Sequence, residues 1–219
     1  FIDSGWDVKQ LQRLIVISAT YRQSSRPRRA LADRDPRNRL LYRQQSLRIP
    51  GEAVRDVALA ASGLLSTRMG GASVRPPQPQ SVIEEAFGSN PWEVETGEHR
   101  YRRAVYTFIL RTTPYALTPT FDTPSPQEPC AWRDRSNTPL QALTLLNDPA
   151  FFEMAQALAG RVLAAGPGSD RDRLVNAFRL CLGRHPASEE IEQLEQYLDG
   201  QRRYLASHPQ QVEAMLTLE

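Results

Sequence analysis

Cysteine is nearly absent from this chain of 219 residues. The two present, Cys130 and Cys181, are too few for a disulfide framework or a thiolate zinc site. No Cys-x-x-Cys-His haem-attachment motif occurs. Histidine is as sparse: His99, His185 and His208 lie scattered, none one helical turn from another, so no metal site and no cofactor are expected in this chain. Lysine occurs once, as Lys9, and every other basic residue is arginine. A GC-rich genome explains that bias; arginines that clamp carboxylate, sulfate or phosphate with their planar forks are the alternative. Net charge is missing as well. The 27 basic residues against 25 acidic leave +2, no field to draw the whole chain onto nucleic acid or an anionic membrane. No apolar run reaches the roughly 18 residues of a membrane span, and no basic-then-apolar leader opens the chain. It starts without an initiator methionine, at Phe1-Ile2-Asp3-Ser4. It therefore reads as a piece of a longer protein, and the lack of a leader carries no information on where that protein goes.

What is present is helical periodicity. Ser4 with Asp7 forms a capping pattern, Val8, Leu11, Leu14 and Ile15 recur on one face, and a helix is expected over residues 5–19 with Trp6 anchoring its start. Asp35-Pro36 offers a cap and first-turn proline for a short helix through Tyr42. Val54, Val57, Ala58, Ala61, Leu64 and Leu65 predict another from near Gly51, fading before Gly70. Between Gly70 and Gly97 glycine and proline are too dense for regular structure, apart from a turn or two over Ser81–Phe87. Residues 98–112 read as a helix that sets arginines beside Tyr101, Tyr106 and Phe108. Residues 114–129, with five prolines, read as neither helix nor central strand.

The C-terminal third is clearer. Thr138-Pro139-Leu140-Gln141 is a complete helix start. Asn147-Asp148-Pro149 ends that helix and begins another, with Phe152, Ala155, Leu158, Ala159 and Val162 inward. Ser169 with Asp172 caps the next, bearing Leu174, Ala177, Phe178 and a core Cys181. Ser188 with Glu189 and Glu190 opens the last long helix, with Ile191, Leu194 and Leu198 inward. The expected fold class is all-α, with about eight helices. It is read as one irregular multi-helix domain over 1–219: N-terminal helices 1–69, a loop 70–97, an Arg/aromatic helix and proline-rich loop 98–137, and a helical bundle 138–219.

Seven runs occur in order: SGWDVKQLQRLIVISATYRQSS, DPRNRLL, RIPGEAVRDVALAASGLL, MGGASVRPPQP, YRRAVYTFILRTTP, FDTPSPQEPCAWRDRSNTPLQALTLLNDPAFFEMAQALAGR and LGRHPASEEIEQL. With these the chain resembles, over nearly its whole length, the planctomycete-specific C-terminal domain of unknown function that accompanies planctomycete cytochrome-type domains. Cys130 falls on that family's usual cysteine, whereas Ser136 stands where the family more often has Thr. The resemblance implies a periplasmic or cell-surface parent protein. It also implies a c-type haem elsewhere in that parent, and as partners its haem-bearing domain and a second helical domain. It implies no activity.

Candidate site residues gather in the middle of the chain. Asp122, Cys130, Arg133, Arg135 and Asn137 precede the helix at Pro139, where arginine forks and helix N–H groups suit an anion. Pinning of a long loop by buried salt bridges is the plainer reading. Arg102, Arg103 and Arg111 share a segment with Tyr106, and the spacing from 103 to 106 suits stacking of an arginine on the ring. Trp132 is either a platform for a sugar or the residue that nails the loop to the core. Cys130 lacks a neighbouring base and is expected as a buried thiol or a disulfide partner rather than a nucleophile. With no Gly-x-Ser-x-Gly elbow, the expected function is an interaction, scaffold or glycan-binding module, its ligand an acidic or sulfated glycan or a protein partner and not nucleic acid. The alternative is a hydrolytic enzyme using Asp122 and Asp134.

Overall fold

A computed structural model describes residues 1–85, 92–111 and 113–216. Among the described residues there are eleven α-helices, two 3-10 turns and no strand, so the fold is all-α as the periodicity implies. The backbone separates into two compact units, Phe1–Arg48 and Ile49–Glu219.

In the first unit, α1 (Val8–Ile17) is shorter than expected. Its cap is Asp7, whose carboxylate accepts from the Gln10 N–H, while the Ser4 hydroxyl donates to the Phe1 carbonyl. Trp6 does not anchor the start: it is 64% exposed and meets Phe1 edge-on, ring centroids 5.2 Å apart. Ser18 ends α1 and caps α2 (Ala19–Arg22), and α3 (Arg29–Ala32) follows. The helix expected from Asp35-Pro36 to Tyr42 is absent. Asp35 turns its carboxylate onto the N–H groups of Arg39 and Leu40, Asn38 adopts a positive φ of 51°, and the chain doubles back. The asparagine and aspartate side chains replace a helical turn with their own backbone bonds.

The second unit is built on α4 (Gly51–Ser62). It ends at Gly63 with φ 82°, a left-handed cap, and Arg161 donates from Nη1 to the carbonyls of Ala60 and Ala61. Then come α5 (Gln80–Glu85), the 3-10 turns Gly97–Tyr101 and Ala104–Tyr106, and α6 (Leu117–Thr120). In the turn expected over Ser81–Phe87, residues 86 and 87 lie outside the described residues. The C-terminal series is α7 (Pro139–Asn147), α8 (Pro149–Ala164), α9 (Asp170–Leu182), α10 (Ser188–Ala206) and α11 (Pro209–Leu216), each packed on the next, with α8 also against α4. The capping boxes at Thr138/Gln141 and Ser169/Asp172 are formed as the sequence predicts. The core joins Leu59, Tyr115, Leu117, Phe121, Phe151 and Met154, with Trp92 stacked on Tyr115 at 5.9 Å.

Four local expectations fail for physical reasons. Residues 98–112 are not a helix, Thr112 lying outside the described residues. After the first 3-10 turn, Arg102 is extended (φ −67°, ψ 156°) and wholly buried. Its guanidinium donates to the carbonyls of Arg68, Gly70 and Ala72, and the backbone bonds Ser66 to Tyr101 and Val74 to Tyr106 and Phe108. A buried cation needs those acceptors, and that need overrides helical spacing. α6 carries Pro119 inside a segment read as non-helical. In a single turn the proline lacks only an N–H that has no intrahelical partner. In α8 the buried residues are Ala150, Phe151, Met154 and Val162, because Glu153 is turned to receive Arg100 Nε at 3.0 Å and the Tyr101 hydroxyl at 2.6 Å. Cys181 is exposed rather than core, since no residue of α9 is buried.

Candidate functional site

The site begins at Gly51. A Cβ at this position would stand 2.5 Å from Thr123 Oγ1 and 2.8 Å from the Phe121 carbonyl, so only glycine lets the start of α4 approach the proline-rich loop. On the first two turns of the helix, Glu52 and Asp56 are four residues apart and share a face. Each is met by an arginine. Arg133 Nη1 reaches Glu52 Oε1 at 2.9 Å, and Arg103 Nε reaches Asp56 Oδ2 at 3.3 Å. Asp56 Oδ1 also accepts from the Ala104 N–H at 2.7 Å. Both ion pairs are partly solvated and contribute of order 0–1 kcal/mol apiece; their effect is to hold four side chains in place.

Between these pairs opens a cavity of about 550 Å3. Its walls are mostly apolar, with Pro50 at the start of α4, Pro114, Pro124 and Pro126 from the proline-rich segment, and Phe108 and Ile109. Arg75 covers Phe108, its Cζ 4.3 Å from the ring centroid. Thr107 and Thr123 are among the residues around the cavity; their hydroxyl oxygens are buried and find no hydrogen-bond partner among the described residues, that of Thr123 facing Gly51. Tyr115 closes the floor; its hydroxyl donates to the Pro77 carbonyl at 3.1 Å, and burial pushes its pKa up to about 12.

A second, shallower cleft of about 360 Å3 shares Thr123, Pro124 and Arg133 with the first and continues past Glu128, Cys130, Trp132 and Asp134. Its loop is closed at the base by Asp122. In a left-handed conformation (φ 58°) tolerated by aspartate, Asp122 accepts from the Ser136 N–H at 2.7 Å and the Ser136 hydroxyl at 2.8 Å, and Gln141 Nε2 lies 3.3 Å away.

Of the candidates read from sequence, Arg103 and Arg133 line the main cavity, and Asp122, Cys130 and Trp132 line the adjoining cleft with Asp134. Arg102 and Tyr106 stack on each other instead, 3.7 Å from Cζ to centroid; Arg102, not Arg103, takes the ring, because the chain there is extended. Arg111, Arg135 and Asn137 are exposed and line neither. Two expectations are corrected. Trp132 does not nail its loop to the core but is 85% exposed, since Asp122 and Arg133 hold the loop by polar bonds. Cys130 is neither buried nor disulfide-bonded; its exposed thiol donates to the Trp132 carbonyl at 2.9 Å. Sequence reading missed Glu52, Asp56, Thr107 and Thr123. The signal was there in the i, i+4 carboxylates on the polar side of α4.

No histidine lines either cleft, and among the described residues no group of three His, Cys, Asp or Glu could hold a metal ion. Fold and site together define an all-α domain with an apolar cavity between its central helix and a proline-rich loop. Residues 1–198 match the family described as PSD1: Protein of unknown function (DUF1553), and the chain belongs to that family. Neither a curated protein nor a solved structure is significantly similar to it.

Proposed function

We propose that the domain is a protein-recognition module whose cavity seats an apolar side chain of an extended partner segment. The observation that carries this reading is an apolar cavity whose four charged wall groups are already paired with one another. An acidic or sulfated glycan would have to displace Glu52 and Asp56 from their arginines. A neutral sugar would bring more hydroxyls than the apolar walls can satisfy, and unpaired buried polar groups cost affinity. A chain segment suits the geometry better. One side chain fills the cavity, and the flanking backbone of the segment lies along its rim. Hydrolytic catalysis is disfavoured because Glu52 and Asp56 are each engaged by an arginine, and Asp56 by the Ala104 N–H as well, so neither is left free as acid or base. The Asp122 carboxylate is taken up by Ser136 and Gln141.

The partner is the haem-bearing portion or second helical domain of an exported, planctomycete-type parent protein, which the domain helps to position at the periplasmic side or cell surface. Isothermal titration of the chain with that haem-bearing portion and with the second helical domain tests this. Ile109→Glu, at a wall residue 67% exposed and therefore outside the core, is expected to weaken binding about tenfold or more. Undiminished binding by this variant, or none by the native chain, overturns the proposal.

A further inference from the structure

Charge is segregated along the chain. Residues 1–48 hold eleven basic side chains against four acidic, whereas residues 49–219 hold sixteen against twenty-one. The overall +2 therefore hides a compact cationic unit. Two of its four carboxylates are engaged by backbone: Asp7 caps α1, and Asp35 accepts from Arg39 and Leu40. Six of its arginines are not engaged by acids. Among the described residues Arg13, Arg22, Arg26, Arg29, Arg34 and Arg37 are exposed with no carboxylate at ion-pair distance. In the second unit Arg100, Arg171, Arg184 and Arg202 are each bridged.

The same unit carries an uncovered apolar face. Val8, Leu11, Leu14 and Ile15 share one side of α1 at 40–56% exposure, and no residue of the helix is buried. The exposed Trp6, edge-on to Phe1, sits at its start, and Leu40 is 81% exposed.

We infer that this first unit binds the surface of an anionic lipid bilayer, with α1 lying in the interface and the arginines on headgroup phosphates. The two observations select this occupant together. A soluble polyanion would neutralise the arginines and leave the α1 face in water. An uncharged apolar partner would cover α1 and leave the arginines unpaired. An anionic bilayer meets both demands: the apolar face enters the acyl boundary, Trp6 stays at headgroup depth, and guanidinium forks take phosphate oxygens bidentately. Ten residues are far too few to span, so the contact is interfacial.

The full chain is tested by co-sedimentation with phosphatidylcholine vesicles, with and without phosphatidylglycerol, and by titration with heparin. Binding to the anionic vesicles is expected to exceed binding to the neutral ones by about tenfold or more and to fall with salt. In a Trp132→Phe background, where the buried Trp92 gives a constant signal, Trp6 emission shifts to the blue. The pair Leu14→Glu/Ile15→Glu and the set Arg22→Gln/Arg26→Gln/Arg29→Gln each weaken vesicle binding about tenfold or more, with helicity by circular dichroism unchanged. Equal binding to both vesicle types, or none to either, overturns the inference. So does heparin binding that survives the α1 substitutions while anionic vesicles are not bound, which would make the ligand a soluble polyanion.

Discussion

Gly51 is constrained by its neighbours rather than by its own backbone angles. The Thr123 hydroxyl and the Phe121 carbonyl occupy the space a side chain needs, and both belong to the segment that walls the cavity. Gly51→Ala must push α4 and the loop apart. It is expected to cost about 1–3 kcal/mol, seen as a lower urea midpoint, and to weaken ligand binding by widening the cavity mouth. Unchanged stability would mean that loop and helix are not held at this distance. Other single residues show where reading from sequence stops. Pro139, Thr138 and Gln141 act within four positions of one another, so their capping box was legible. Arg102 was legible as a functional-looking arginine but not as a buried clamp, because its carbonyl acceptors at 68, 70 and 72 lie some thirty residues back in the chain.

At the level of elements, α4 and α7 to α10 follow from local signals: periodic apolar residues, caps and prolines at helix starts. The segment from 98 to 111 does not, since its conformation is set by pairing with residues 66 and 74 and not by its own spacing. Half of the cavity wall rests on that non-local pairing, so the spacing within the segment does not reveal that Arg103 and Thr107 stand at one cavity. Tyr115 joins two such segments, its ring on Trp92 and its hydroxyl on the Pro77 carbonyl. Burial pushes its pKa up to about 12, against about 10 in an unfolded chain. The neutral form is thus favoured by folding. The contribution is complete below about pH 10 and is lost as pH rises toward 12, because the unfolded chain ionises first. Urea unfolding between about pH 9 and pH 12 should show a loss of up to about 3 kcal/mol in the native chain. Tyr115→Phe should lack that loss while being weaker by about 1 kcal/mol at neutral pH. Parallel pH dependence in the two proteins would contradict the assignment.

Across the whole molecule, composition is the least informative scale, because averaging conceals arrangement. A near-neutral total covers an arginine-rich first unit and an acidic second one. Among the arginines are some clamped on carbonyls, some paired across the cavity or along helices, and some exposed without acids. The functional account rests on the middle group: paired charges leave an apolar cavity suited to a side chain from a partner. The most direct test is amide NMR of the full chain titrated with three probes, a short uncharged peptide bearing a leucine anchor, a neutral oligosaccharide and a sulfated oligosaccharide. The account predicts that the peptide alone shifts residues 103–109 and 118–126, and that Ile109→Glu abolishes the effect. Shifts at these residues from either sugar but not from the peptide would contradict it.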